Sequence, residues 1–70
     1  MGLLWNRWTP LRTESGTRAE LIDRLEAYFK VSGLKSKITL EGNGLKRIHV
    51  RTKDQDRARD LLAAFDEEQA

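Results

Sequence analysis

The sequence predicts a small α+β domain, with two helices packed on one face of a small antiparallel sheet in the order (β)αββα, half of a ferredoxin-like fold. Apolar residues recur at helical spacing over residues 17–32 and 54–68. Residues 35–41 and 46–52 instead alternate apolar and polar side chains around a glycine-rich turn, as in a β-hairpin. With 70 residues in total, we expect one domain over residues 1–70.

The first helix is expected over residues 17–32. Thr17 and Glu20 have the spacing of a capping box at its start. Gly33 provides a left-handed stop, after which Leu34 can pack on the last turn. Its apolar face consists of Leu21, Ile22, Leu25, Tyr28 and Phe29.

The hairpin carries two apolar pairs, Ile38 with Leu40 and Ile48 with Val50. If both pairs face the helices, the connection around Gly42–Gly44 must hold an odd number of residues. We therefore expect a three- or five-residue loop with a bulge near its end.

The second helix is expected over residues 54–68 because its apolar residues follow an i, i+3, i+4, i+7 pattern. These residues are Ala58, Leu61, Leu62 and Phe65. Leu25, Ile48 and Leu62 should be nearly fully buried at the centre of the helix-on-hairpin packing.

Residues 1–16 precede the αββα core of residues 17–68. Residues 9–16 are polar and rich in turn formers, which predicts a linker. An isolated hairpin is marginal in water, so a third strand is needed, and residues 2–8 are the candidate. Their periodicity also fits a short helix that ends before Pro10. We favour the strand because the sheet gains more from it.

Both tryptophans, Trp5 and Trp8, lie in this N-terminal segment. We expect them to pack on the domain or on a second protomer, with at least one mostly buried, and they are the candidate partner contacts. A peripheral membrane adaptor is a further alternative. It is disfavoured because the segment offers about four apolar residues and few cations, less than interfacial helices use.

The two helix boundaries resemble a known family. The matching segments are Ser32-Gly33-Leu34 and VRTKDQDRARDLL at residues 50–62. The matching positions in the second segment are Val50, Asp54, Asp56, Ala58, Leu61 and Leu62. Over residues 18–66 the chain is similar to small signal-transducing proteins with a PII-like α/β fold. The resemblance implies a regulatory binding module and carries over no catalytic residue.

The amino-acid composition excludes some kinds of site and indicates a cellular compartment. The chain has no cysteine, which excludes disulfides and cysteine-ligated metal sites. Its N-terminal segment lacks the long apolar stretch of a secretory signal, so we expect an unprocessed cytoplasmic protein.

Catalytic and metal-binding patterns are weak. The single histidine, His49, lies between Arg47 and Arg51, whose charges oppose its protonation. Asp54 and Asp56 have the spacing of the first two ligands of a calcium loop, but the residues at the remaining ligand positions are wrong. We therefore expect no enzyme activity, no metal and no cofactor.

Charge is distributed unevenly along the chain. Residues 30–53 carry seven basic residues and one acid, whereas residues 54–70 carry six acids and two arginines. Alternation puts a basic set on the sheet face away from the helices, namely Lys35, Lys37, Arg47, His49 and Arg51. This set is a candidate anion or nucleic-acid face, although interleaved aromatic residues are missing from it. The acids Asp66, Glu67 and Glu68 could meet the basic hairpin of a neighbouring copy.

Three functions remain open from the sequence. The first is a non-enzymatic regulatory module that acts through protein or ligand contacts, self-association included. The second is a nucleic-acid-binding protein that uses the basic face. The third is the membrane adaptor.

Overall fold

The structure, a computed structural model, describes residues 7–69. Its elements are β1 (Trp8–Ser15), α1 (Glu20–Val31), β2 (Ser36–Leu40), β3 (Leu45–Arg51) and α2 (Gln55–Gln69). The strand order is β1-β3-β2, and both pairings are antiparallel. Strands β1 and β2 therefore run parallel on either side of β3. This is the predicted α+β arrangement, with two helices packed against an antiparallel sheet.

The core lies between the helices and the sheet. Its buried members are Ile22, Leu25, Phe29, Leu34, Ile48, Val50, Ala58 and Phe65. The rings of Tyr28 and Phe65, with centroids 5.8 Å apart, join the two helices. The predicted burial of Leu25 and Ile48 is confirmed. The prediction for Leu62 is wrong, since this side chain is only partly buried. Ala58 and Phe65 form the centre of the apolar stripe on α2, and Leu62 lies on its flank.

The hairpin has the predicted parity. Ile38 pairs with Ile48, and three residues, 42–44, connect the backbone-bonded Glu41 and Leu45. Leu40 was expected on the covered face, but its side chain is 78% exposed. It lies next to the hairpin turn, where the helices do not cover the sheet.

The end of α1 is built as predicted. Gly33 has a φ of +79°, and its N–H donates to the carbonyl of Lys30 at 3.0 Å. The N–H of Leu34 donates to the carbonyl of Phe29 at 2.8 Å, which completes a Schellman motif. The capping box is not formed, because Thr17 lies in a 3₁₀ turn over Gly16–Ala19 that precedes the α-helix.

The third strand exists, but its position was predicted wrongly. A linker was expected over residues 9–16, but residues 9–15 form most of β1. Only residues 7 and 8 of the expected strand segment lie within the described residues. The register shifts between Pro10 and Arg12, so Leu11 occupies a bulge. The bulge breaks the apolar alternation, and the helix side of β1 carries Arg12 and Glu14, which form ion pairs.

Candidate functional site

The face of the sheet opposite the helices, here called the open face, is the candidate site. Ile48 and Val50 of β3 point into the core, so the alternate residues of β3 point away from it. Residues paired across antiparallel strands share a face. By this rule the open face carries Arg47, His49 and Arg51 of β3, Trp8, Pro10 and Thr13 of β1, and Lys37 and Thr39 of β2.

Four of the five predicted basic residues thus share the open face. The fifth, Lys35, precedes β2 and lines a cleft together with Arg51. The structure brings all five to one side or one end of the sheet, but their surroundings differ.

Arg47 is largely neutralised by its neighbours. Its Nη1 lies 3.3 Å from a carboxylate oxygen of Glu41, and its Nε donates to the hydroxyl of Thr13 at 2.9 Å. Thr39 also contacts the same Glu41 carboxylate. Arg47 therefore contributes little free positive charge to the open face.

His49 is held in a neutral form near pH 7. Burial lowers its pKa below the ordinary value, and the nearby charge of Lys37 lowers it further; Glu41 opposes this effect in part, and Arg47 adds the smallest contribution, also downward. Its Nε2 lies 2.8 Å from the hydroxyl of Thr39. A neutral imidazole can donate or accept this hydrogen bond, depending on its tautomer.

Trp8 lies in the middle of the remaining positive charge. The ammonium of Lys37 is 4.9 Å from the centroid of the Trp8 ring, and the guanidinium carbon of Arg51 is 5.5 Å from it. Both distances fit cation–π contacts. These three residues are called the Trp8 cluster below.

The Trp8 cluster bears on the prediction for the tryptophans. Trp8 is partly buried and packs on its own domain, one of the two arrangements expected. Trp5 lies outside the described residues. The sequence pattern of the hairpin shows no aromatic residue among the basic ones, but the fold brings Trp8 of β1 next to Lys37 and Arg51. Sequence reasoning missed it because β1 was not recognised, and no local signal ties Trp8 to Lys37.

Arg51 has a hydrogen-bond donor that no acceptor satisfies within the described residues. Its Nε is buried and has no hydrogen-bond partner among the residues that the structure describes. A buried, unsatisfied donor is costly, and a charged oxygen is the acceptor that a guanidinium binds best.

Two open clefts meet at this end of the sheet. The larger, of about 650 Å³, extends from Trp8, Lys35 and Arg51 to Asp23 and Glu26 of α1. The smaller, of about 220 Å³, is lined by Gly33, Lys35, Arg51, Lys53 and Asp54. Lys35 and Arg51 belong to both.

Four cations at this end of the sheet lack acidic partners. Within residues 7–69, no ion pair involves Lys35, Lys37, Arg51 or Lys53. Within residues 35–51, the cations without ion pairs are therefore Lys35, Lys37 and Arg51, whereas Lys46 and Arg47 are paired.

The structure offers neither a metal site nor a membrane span in the residues that it describes. In this part of the chain, no three acidic or histidine side chains are grouped so that they could hold a metal ion. Neither of its two helices combines the length and the apolar character that crossing a bilayer requires.

Comparisons with protein-family models, curated proteins and solved structures find nothing that matches this chain. The resemblance to signal-transducing proteins with a PII-like fold stays a prediction.

Proposed function

We propose that this chain is a small non-enzymatic binding module that recognises an anionic partner on the open face of its sheet. The observation that supports the proposal best is the Trp8 cluster, where an aromatic ring and cations without acidic partners adjoin two open clefts. As part of the same proposal, the module works in the cytoplasm, in keeping with its lack of cysteine.

The electrostatics favour a charged partner over an apolar one. Among residues 7–69, the exposed large apolar side chains are Val31 and Leu40, which lie on different elements. Scattered apolar residues of this kind are normal on a monomer surface. The unneutralised cations, by contrast, lie together and attract anions at long range when the salt concentration is low.

Binding without catalysis agrees with the state of His49. A neutral imidazole could act as a base, but its Nε2 is engaged by Thr39. The cations beside Trp8, Lys37 and Arg51, bind anions more readily than they transfer protons at pH 7.

Heparin chromatography of matched variants tests the proposal. Lys37→Gln removes one exposed charge without an acidic partner from the Trp8 cluster, and the control Arg59→Gln removes one exposed charge from α2 that likewise forms no ion pair within residues 7–69. We expect the first variant to elute at clearly lower salt than the control, although their net charges are equal. Equal elution of the two variants would contradict the proposal.

A further inference from the structure

The Trp8 ring offers a surface that a simple anion would not need. Its cation–π contact with Lys37 involves an exposed, flexible side chain. A cation–π contact of this kind is weaker than the stacking of a nucleic-acid base on an aromatic ring. A base can therefore replace the Lys37 ammonium on the ring.

The displaced ammonium of Lys37 can bind a phosphate of the same nucleic acid. Lys37 and Arg51 both lie close to the ring, so the phosphates of a nucleotide stacked on Trp8 are within reach of both. The guanidinium of Arg51, which forms no ion pair within residues 7–69, then gains a charged acceptor. Lys35 and Lys53, which line the adjoining clefts, can hold further phosphates along the strand.

We infer that the Trp8 cluster binds single-stranded nucleic acid, with one base stacked on Trp8 and the backbone held by Lys37, Arg51 and the neighbouring lysines. This inference rests on the proposed function and names its anionic partner. Stacking on an aromatic platform within a basic groove is the general means by which proteins bind unpaired strands.

The geometry favours a single strand over the other sources of phosphate. Bases in a duplex are already stacked, and withdrawing one costs free energy that an unpaired strand does not lose. A mononucleotide could use only part of a set of cations that spans both clefts, and these clefts are open rather than enclosing.

The experiment uses the full chain with Trp5→Phe, which leaves Trp8 as the sole tryptophan. The probes are an oligothymidylate of about twelve nucleotides, the matching duplex, thymidine monophosphate and inorganic polyphosphate, at low salt. We expect the single strand to quench Trp8 fluorescence and to bind at least about tenfold more tightly than the duplex, since unstacking costs a few kcal/mol.

Substitutions then separate stacking from charge. Measured by the fluorescence anisotropy of a dye-labelled oligothymidylate, Trp8→Leu should weaken single-strand binding by about five- to 150-fold, whereas Trp8→Phe should retain much of it. Lys37→Gln should reduce the slope of log K against log salt by about 0.7, while the control Arg59→Gln should leave the slope nearly unchanged. Circular dichroism of each variant verifies folding, and Trp8→Phe serves if Trp8→Leu does not fold.

The outcomes distinguish this inference from the proposed function. Equal binding of polyphosphate and oligothymidylate without quenching would overturn the nucleic-acid inference and leave an anion-binding face. Equal affinity for duplex and single strand, or for the monophosphate and the strand, would overturn it as well. Absence of binding to every probe, together with failure of the heparin experiment, would overturn both.

Discussion

At the scale of the residue, the pKa of His49 can be used as a probe of the open face, because His49 is the only histidine in the chain and its titration is unambiguous. Its imidazole is partly buried beside Lys37, Arg47 and Glu41, and it contacts Thr39. Burial and the two cations favour the neutral form, so any anion that binds here should favour the protonated form and raise the pKa of His49.

The pH dependence of stability follows from the lowered pKa of His49. As the pH falls through about 6.5, the unfolded chain takes up a proton that the folded chain resists, so the free energy of unfolding decreases. We expect NMR titration of the single imidazole to give a pKa below the ordinary value. Thermal melts should show His49→Gln losing less stability than the wild type between about pH 7.5 and pH 5.5.

The variant Lys37→Gln is the matched test of the cause, because it removes one of the charges that lower the pKa of His49 and should raise that pKa toward its ordinary value. An imidazole that titrates above about 6.5 in the wild type would contradict this account.

A pair of identical substitutions tests the placement of the core. Leu25 is fully buried, whereas Leu40 is 78% exposed on the same domain. Leu25→Ala should lower the free energy of unfolding by about 2–5 kcal/mol, a large share of the total for so short a chain. Leu40→Ala should change it by less than about 0.5 kcal/mol. Chemical denaturation measures the free energy of unfolding of each variant. Similar losses for the two would contradict the placement of Leu25 in the core and of Leu40 at the surface.

At the scale of the element, the end of α1 and the hairpin were easier to predict than the strand formed by residues 9–15. Gly33 was recognised as a helix stop because few residues other than glycine adopt a left-handed conformation there. The hairpin was recognised because its apolar alternation is regular. Both signals lie within a few consecutive residues, so they can be recognised without knowledge of the tertiary fold.

Strand β1 was missed for a physical reason. Its helix side presents the charged residues Arg12 and Glu14, and Leu11 packs against the core from the bulge, out of the regular alternation. The two charges are satisfied by each other and by Asp66 of α2, which is distant in sequence. Pro10 and the bulge at Leu11 disrupt the remaining periodicity. These same features limit edge-to-edge pairing of an outer strand. The Trp8 cluster could not be predicted while β1 was unassigned.

The stop at Gly33 permits a sharp prediction. A Cβ at this position would lie 4.0 Å from its nearest neighbour outside the local chain, an atom of the Arg57 side chain, so there is no steric obstacle to alanine. Gly33→Ala should still destabilise the fold by about 1–2 kcal/mol, because a φ of +79° is unfavourable for an L-residue. Gly33→Asn should cost less, since asparagine tolerates this conformation better. Equal losses in denaturant melts would indicate that side-chain volume, not backbone conformation, controls this position.

At the scale of the whole molecule, charge is separated between the ends of the sheet. Lys35, Arg51 and Lys53 surround the clefts where α2 begins. The far end of α2 carries acids, and Asp66 forms an ion pair with Arg12 of the same chain. Glu67 and Glu68 are exposed and form no ion pair within residues 7–69. At this end of α2, these two acids can therefore meet another basic surface.

The predicted self-association can therefore be tested on specific carboxylates. If Glu67 and Glu68 of one copy meet the basic end of another, sedimentation should show dimers or larger species at about 25 mM salt that dissociate near 500 mM, where screening is strong. Glu67→Gln/Glu68→Gln should abolish these species. The control Asp66→Asn, which removes an acid engaged by Arg12, should lower the melting temperature but retain association. Association that persists at high salt would contradict this charge-based contact, because an interface insensitive to screening must rest on buried apolar area instead.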